Sequence, residues 1–330
     1  MQLSIVVPVY RSADCLPELV SRVAAAVTSR WTAFELILVN DHSPDGSWSV
    51  IERLAAQHDW IVGIDLRRNV GQDNAIMAGL REARGAKVVI MDDDLQHDPS
   101  DIPRLCAEID RGYDVVYASF EAKQQVWWKN LGSWFADRAA VALLNKPRDL
   151  YMSPFKAIRQ SVVRDVVRYD GPYTYIDGSL LTATSRFTQI PATHHPRYAG
   201  EGSCTLVRSV RVWLKLATNF SVLPLRVVSY LGGSIALLSL GIGTYFLIEA
   251  LFYERTVEGW ASVAVGMFFL GGIQLMGIGV LGEYVGRIFV TQNRRPQSPV
   301  RILVGARPER RRSGDDVERP AALAKGATDV

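Results

Sequence analysis

The stretch that decides the fold is Ala86-Lys87-Val88-Val89-Ile90-Met91-Asp92-Asp93-Asp94-Leu95-Gln96. A short apolar run rich in β-branched residues reads as a strand buried on both faces. This one stops abruptly in three consecutive carboxylates. Working back toward the N-terminus, the same strand pattern repeats. Ser4-Ile5-Val6-Val7-Pro8-Val9 closes at Tyr10 and is followed by helical spacing from Leu16 to Thr28. Phe34 to Asn40 is apolar and ends at Asp41, with a helix expected over 47–58. Ile61 to Leu66 is apolar again and precedes helical spacing over 73–83. This alternation predicts an α/β domain with a mostly parallel sheet between two layers of helices. In open sheets of that kind ligands bind beyond the carboxyl ends of the strands. Tyr10, Asp41 and Asp92 to Asp94 all fall at such ends.

Three adjacent carboxylates repel one another unless a cation neutralises them. An isolated acidic triplet reads more readily as a solvated turn than as a metal site, but a place directly after a buried strand, on the rim that carries Asp41, reverses that preference. Hard oxygen ligands suit Mg²⁺ or Mn²⁺, and Mg²⁺ takes one or two protein carboxylates and completes its octahedron with phosphate oxygens and water. Gln96 offers a further carbonyl oxygen.

Moving toward the C-terminus, the character of the chain changes. Val227 to Phe252 is 26 residues with Glu249 as its one charge, and Gly259 to Gly282 is 24 residues with none. About 20 apolar residues span a bilayer, so the pair reads as a transmembrane hairpin. Arg208, Arg211, Lys215 and Arg226 precede the first span and Arg287, Arg294 and Arg295 follow the second, against Arg255 alone in the linker. By the positive-inside rule both termini face the cytosol. Two segments, Val126 to Leu144 and Val207 to Phe220, mix tryptophans with Lys and Arg as interfacial helices do, although a buried amphipathic helix has the same spacing. Beyond Thr291 the chain is rich in Arg, Pro, Ala and Gly and reads as a disordered tail. The expected division is a catalytic domain over 1–205, a juxtamembrane segment over 206–226, spans over 227–252 and 259–282, and a cytosolic tail over 291–330.

Overall composition excludes several classes. A net charge of +3 with no basic stripe interleaved with aromatics argues against nucleic acid. Cys15, Cys106 and Cys204 are odd in number and far apart, which excludes a disulfide framework or CxxC zinc site and suits reduced thiols. Met1-Gln2-Leu3-Ser4 lacks a basic region before an apolar run, so the domain is expected to stay in the cytosol at the inner (plasma) membrane.

Ser4 to Pro8 with Tyr10, Val39-Asn40-Asp41, Arg68-Asn69-Val70-Gly71-Gln72, Ala78-Gly79 and Asp92-Asp93-Asp94-Leu95-Gln96 with Pro99 resemble the family 2 glycosyltransferases of GT-A fold. With the two spans and Leu281-Gly282-Glu283-Tyr284-Val285-Gly286-Arg287, the chain is similar to the polyprenyl-phosphate subgroup: dolichol-phosphate mannose synthases, undecaprenyl-phosphate glucosyltransferases and formamidoarabinose transferases. The resemblance implies inverting, metal-dependent transfer of one sugar from a nucleotide diphosphate donor, UDP-linked by preference, to a polyprenyl phosphate such as undecaprenyl phosphate. It implies that Asp92, Asp94 and Gln96 lie at the metal and that Asp41 hydrogen-bonds the nucleobase. Pro8, Tyr10 and Val39 would shape the base and ribose pocket, and Asp93 would meet the nucleotide through its backbone. Arg138 and Arg197 match basic positions near the diphosphate or acceptor phosphate. Homo-oligomerisation is left open, and a product used outside the cell would need a separate flippase.

Departures from the family pattern are specific. Tyr-Asn-Glu is here Tyr10-Arg11-Ser12, removing a carboxylate near the nucleotide. An Arg two residues after Ala118 is Phe120, for which Lys123 can substitute, and Gly-x-Ser-Lys-Tyr is Gly200-Glu201-Gly202-Ser203-Cys204. An Asp before the Phe-Arg segment aligns with Leu150, leaving Asp149 one residue away. Rival readings are a catalytically inactive nucleotide-sugar-binding scaffold and a processive polysaccharide synthase, whose Gln-x-x-Arg-Trp motif the chain lacks. A nicotinamide oxidoreductase is disfavoured because no G-x-G-x-x-G follows the first strand.

Overall fold

The computed structural model describes residues 1–120, 147, 150–171, 174–193, 223–252, 259–293 and 296–305. Its centre is an eight-stranded sheet in the order β7-β5-β6-β4-β1-β2-β3-β8. The strands are β1 (Leu3–Val9), β2 (Phe34–Asn40), β3 (Ile61–Leu66), β4 (Lys87–Ile90), β5 (Val115–Ser119), β6 (Lys156–Arg159), β7 (Phe187–Pro191) and β8 (Val300–Val304). As expected from the alternation, β4, β1, β2 and β3 are parallel neighbours. Beyond β4 the pairing mixes: β6 is antiparallel to both β4 and β5, and β7 is parallel to β5.

Helices cover both faces. On one lie α1 (Leu16–Val27), α2 (Ser47–Gln57) and α4 (Ile102–Asp110); on the other lie α3 (Gln72–Glu82), α5 (Gln160–Val166) and α6 (Ile176–Ala183). β1 shows why the central strands carry no polar alternation. Leu3, Ile5, Val7 and Val9 enter the first core while Val6 enters the second, so both faces demand apolar side chains. α1 has one apolar stripe, and Leu16, Leu19, Val20, Val23 and Val27 bury it against the sheet. α3 lies closer to the sheet than a side chain at Gly79 would permit: a Cβ there would stand 2.4 Å from Val6 Cγ1. On the same face Lys156 is buried in an ion pair with Asp177, whose carboxylate also accepts the Tyr117 hydroxyl at 3.0 Å.

Two long helices come next in the chain, α7 (Leu223–Phe252) and α8 (Trp260–Gln292), and they contact each other. α7 includes residues 227–252, and α8 runs ten residues beyond Gly282. Among the described residues one stretch, Phe269–Gln292, is long and apolar enough to cross a membrane, and none of it is buried.

Residues 296–305, which fall in the segment expected from its composition to be a structureless tail, are ordered into the domain. The chain returns to the sheet, and β8 pairs antiparallel with β3, matching Val300 with Leu66 and Val304 with Gly63. Gln297 is buried, accepting from Arg81 Nη2 at 2.6 Å and donating to the Gly171 carbonyl at 2.7 Å and to Thr174 Oγ1. The physical reason is local: Val-Arg-Ile-Leu-Val at 300–304 is a strand-forming run, hidden by the Arg and Pro on either side of it.

Candidate functional site

A cleft of about 490 Å³ opens at the carboxyl ends of β1, β2 and β4. Pro8, Val9, Tyr10, Arg11 and Ser12 line it from the first strand exit, Asp41 from the second, Asn69, Gly71 and Gln72 from the start of α3, and Asp92, Asp93 and Asp94 from the fourth. A smaller cavity of about 340 Å³ lies at the opposite ends of the strands, beside Gln2, Trp31 and Lys87. It contains none of the strand-end carboxylates, so the first is the candidate site.

All four strand exits turn through the left-handed backbone region. Arg11 (φ 59°), His42 (φ 52°) and Leu95 (φ 60°) are the positive-φ residues other than glycine among those described, and Gly71 (φ 85°) sits at the fourth exit. A non-glycine residue there costs about 1–3 kcal/mol and persists where surrounding bonds over-determine it. Those bonds are present: the Arg11 amide donates to Ser43 Oγ at 2.5 Å, and the Gln96 amide donates to Asp94 Oδ1 at 3.1 Å.

Each aspartate is held differently. Asp41 is buried, with Oδ1 accepting the Val70 amide at 2.7 Å and Oδ2 the Gly71 amide at 2.9 Å, while its carbonyl accepts Asn69 Nδ2 at 3.2 Å. It therefore ties the Arg68–Gly71 loop to the end of β2, a role its sequence position does not announce. Burial pushes its carboxyl above the ordinary range, and the two amides offset part of that rise. Asp93 turns its carboxylate toward β1 and accepts the Tyr10 amide at 3.1 Å. Burial raises its pKa too, against the Ser12 hydroxyl and the Tyr10 amide. Asp92 Oδ1 accepts Gln72 Nε2 at 2.8 Å, and the Asp92 amide donates to His97 Nδ1 at 3.2 Å. The links to Gln72 and His97 were not anticipated. An Asp followed five residues later by His was the available signal.

Several expected site residues are brought together: Pro8, Tyr10, Asp41, Asp92, Asp93 and Asp94 line one cleft, with the Tyr10 ring exposed and Arg11 stacked over it at 5.4 Å. Val39 does not join them, being fully buried in the core under α3. Gln96 is not among the lining residues; its amide closes the turn at Asp94. No group of three or more His, Cys, Asp or Glu side chains converges on a point among the described residues. Lys123, Arg138, Arg197 and Asp149 lie outside the described residues, as do the segments 126–144 and 207–220.

Residues 4–167, from β1 through α5 and so including every wall of the cleft, match the model of "Glycosyl transferase family 2". A curated undecaprenyl-phosphate 4-deoxy-4-formamido-L-arabinose transferase of Shewanella sediminis is 34% identical over 95% of this chain and 96% of its own length. The chain belongs to glycosyl transferase family 2. This glycosyltransferase is also similar to solved structures. TarS of S. aureus, in complex with UDP-GlcNAc, is 17% identical with a TM-score of 0.47, covering 67% of this chain and 68% of that one. Glucosyl-3-phosphoglycerate synthase of Mycobacterium tuberculosis, with Mn²⁺, UDP-glucose and phosphoglyceric acid, is 16% identical with a TM-score of 0.46, covering 66% of this chain and 78% of that one.

Proposed function

We propose that this glycosyltransferase moves a single sugar from a nucleotide diphosphate donor, UDP-linked by preference, onto a polyprenyl phosphate, with undecaprenyl phosphate the first candidate. The observation that carries this is the extent of the similarity to the Shewanella transferase. It runs through the cleft, both long helices and the returning strand rather than stopping at the catalytic domain. The acceptor's tail lives in the bilayer while its phosphate must meet a soluble donor, so an apolar helix close to the cleft has a purpose. The chain provides one. From Gln292, the end of α8, to Pro299 is seven residues, at most about 25 Å of chain. The Pro299 carbonyl accepts the Arg67 amide at 2.9 Å, directly at the carboxyl end of β3. Residues 68–71, next in the chain, are the loop that Asp41 holds. The catalytic domain and both termini are assigned to the cytosolic face, with two membrane spans.

The residues present fit a divalent cation, Mg²⁺ or Mn²⁺. Among the described residues, four aspartates line the cleft against one cationic side chain, Arg11. Asp93 is turned to β1, which leaves Asp92 and Asp94 as the protein's hard oxygen donors, with diphosphate and water to complete the shell. When bound, the ion supplies charge neutralisation at the leaving diphosphate. The exposed Tyr10 ring and Pro8 offer a platform for the base, and Asp41 organises the loop beside it. Lys123, Arg138 and Arg197 are assigned to the phosphates of donor and acceptor, as oxyanion partners.

In the reaction a polyprenyl phosphate oxygen attacks the anomeric carbon, the bond from that carbon to the diphosphate oxygen breaks, and the configuration inverts. A phosphate is largely ionised near neutral pH, so a strong general base is not required.

The test is to incubate the full chain in detergent with undecaprenyl phosphate, a panel of UDP- and GDP-sugars, and Mn²⁺ or EDTA, and to weigh the lipid product by mass spectrometry. One sugar added per lipid phosphate, abolished by EDTA and by Asp94→Ala, is expected. Sugar transfer that ignores the lipid phosphate would overturn the assignment.

A further inference from the structure

Behind the acidic loop lies a histidine that the proposed chemistry leaves unused. His97 is 4% exposed. Its ring stacks with two phenylalanines, 5.5 Å from Phe120 at an interplanar angle of 5° and 5.2 Å from Phe155 at 17°. An aliphatic or aromatic residue would fill that slot without desolvating ring nitrogens, so packing alone does not account for imidazole. What imidazole adds is an acceptor. Nδ1 faces the Asp92 amide at 3.2 Å, which makes Nδ1 the unprotonated nitrogen of the neutral ring. Asp92 is thus gripped twice, its amide by His97 and its Oδ1 by Gln72. Between these grips the loop passes through Leu95, buried and left-handed, and closes on the turn at Asp94.

We propose that His97 is a positioning residue: stacked with Phe120 and Phe155, it holds the Asp92 amide and so aims the Asp92 and Asp94 carboxylates at the cleft for a divalent cation. This rests on the cation-dependent reading of the cleft. Phe120 and Phe155 orient the ring, and the ring orients the loop, as outer hydrogen bonds orient the ligands of metal sites generally. Phe120 stands where the resembled family carries an Arg, so the stack belongs to this chain's own variation on the pattern.

Two substitutions separate positioning from packing. His97→Phe keeps the stacked volume and removes the acceptor. His97→Asn removes the ring and keeps an acceptor near the Nδ1 position. The full chain in detergent is titrated with Mn²⁺ in the presence of UDP, following the electron paramagnetic resonance signal of free aqueous Mn²⁺, and folded fraction is checked by thermal unfolding. His97→Phe is expected to weaken Mn²⁺ binding about tenfold, the scale of one lost hydrogen bond. His97→Asn is expected to stay within about twofold of wild type. Should His97→Phe not fold, His97→Gln, whose acceptor falls nearer the Nε2 position, replaces it and is expected to show the same loss. Wild-type Mn²⁺ affinity in the loss variant, or equal weakening in the Asn variant, would overturn the proposal. Asp94→Ala is the separate control: if it binds Mn²⁺ as wild type does, the cation reading of the cleft fails, whereas loss there with no effect at His97 removes only the role of His97.

Discussion

Arg301, on the last strand, pairs its guanidinium with the fully buried carboxylate of Asp65 on β3, 236 residues earlier. Asp65 also accepts Asn40 Nδ2 at 2.6 Å, and Asn40 is the last residue of β2 before Asp41. The returning strand therefore neutralises a charge placed just below the cleft rim. Removing the partner of a buried charge costs more than the pair contributes when intact. Arg301→Ala is expected to destabilise the domain by about 2 kcal/mol, because Asn40 still satisfies part of the carboxylate. That corresponds to a melting temperature lower by roughly 4–8 °C, read by circular dichroism on the detergent-solubilised protein. Adding Asp65→Asn to that variant should recover part of the loss, since no charge is then left buried. A double variant no better than Arg301→Ala alone would refute the explanation.

The distance between α3 and the sheet makes a second prediction. A Cβ at Gly79 would meet Val6 Cγ1 at 2.4 Å and Val39 Cγ2 at 3.1 Å, both side chains of fully buried core residues. Gly79→Ala must push the helix outward or force those valines off their rotamers, a cost of about 1–3 kcal/mol. Because α3 begins at Gly71 and Gln72, in the cleft wall, UDP affinity should fall along with thermal stability. Gly46→Ala is the matched control, since nothing stands within 4 Å of a Cβ there and φ is −74°. Equal effects at the two glycines would contradict the packing argument.

Burial pushes the Cys106 thiol up to about 12, and its side chain is enclosed by α4 and the sheet. The thiolate is the reactive form, so at pH 7.5 Cys106 carries almost none. N-ethylmaleimide should leave it unmodified in the native protein and label it fully after denaturation, as read by peptide mass spectrometry. Native labelling at a rate typical of exposed thiols would show that the α4 face opens.

How much of this was legible in the sequence depends on whether a feature is local. The first four strands and three helices were readable because their apolar runs and helical spacings are written in consecutive residues, and the cleft came from which residues end those runs. Val39, which the resemblance puts at the base and ribose pocket, is fully buried in the core, and a strand buried on both faces has no alternation to say which side a residue takes. Its valine packs toward Gly79 instead of facing the cleft. The β8 strand was missed because its meaning lies in Asp65, distant in the chain, while its neighbours are Arg and Pro. Asp41 was recognised as a site residue, yet its grip on the Val70 and Gly71 amides depends on a loop about thirty residues downstream that only the fold brings to it.

That grip gives the last prediction, on pH. Burial raises the Asp41 carboxyl above the ordinary carboxylate value, and the amides of Val70 and Gly71 reduce the rise without cancelling it. The folded state therefore holds a proton on Asp41 over a window in which the unfolded chain has lost it. Stability from this group is fully present below the ordinary carboxylate pKa and is lost as pH rises through the raised one. Ligand binding runs the other way. The ionised carboxylate is the stronger acceptor for both amides, so protonation loosens the loop at 69–71 and the adjacent start of α3. UDP affinity, measured by calorimetry, should weaken as pH falls, with a midpoint above that of an ordinary carboxylate. Asp41→Asn keeps one acceptor and turns an amide donor toward the other N–H, so it should bind UDP more weakly at pH 7, by about tenfold. It should also lose that acid limb and show a flatter dependence of melting temperature on pH in the same window. If Asp41→Asn keeps the wild-type acid limb, the titrating group lies elsewhere in the cleft and Asp41 is not what couples proton uptake to the loop.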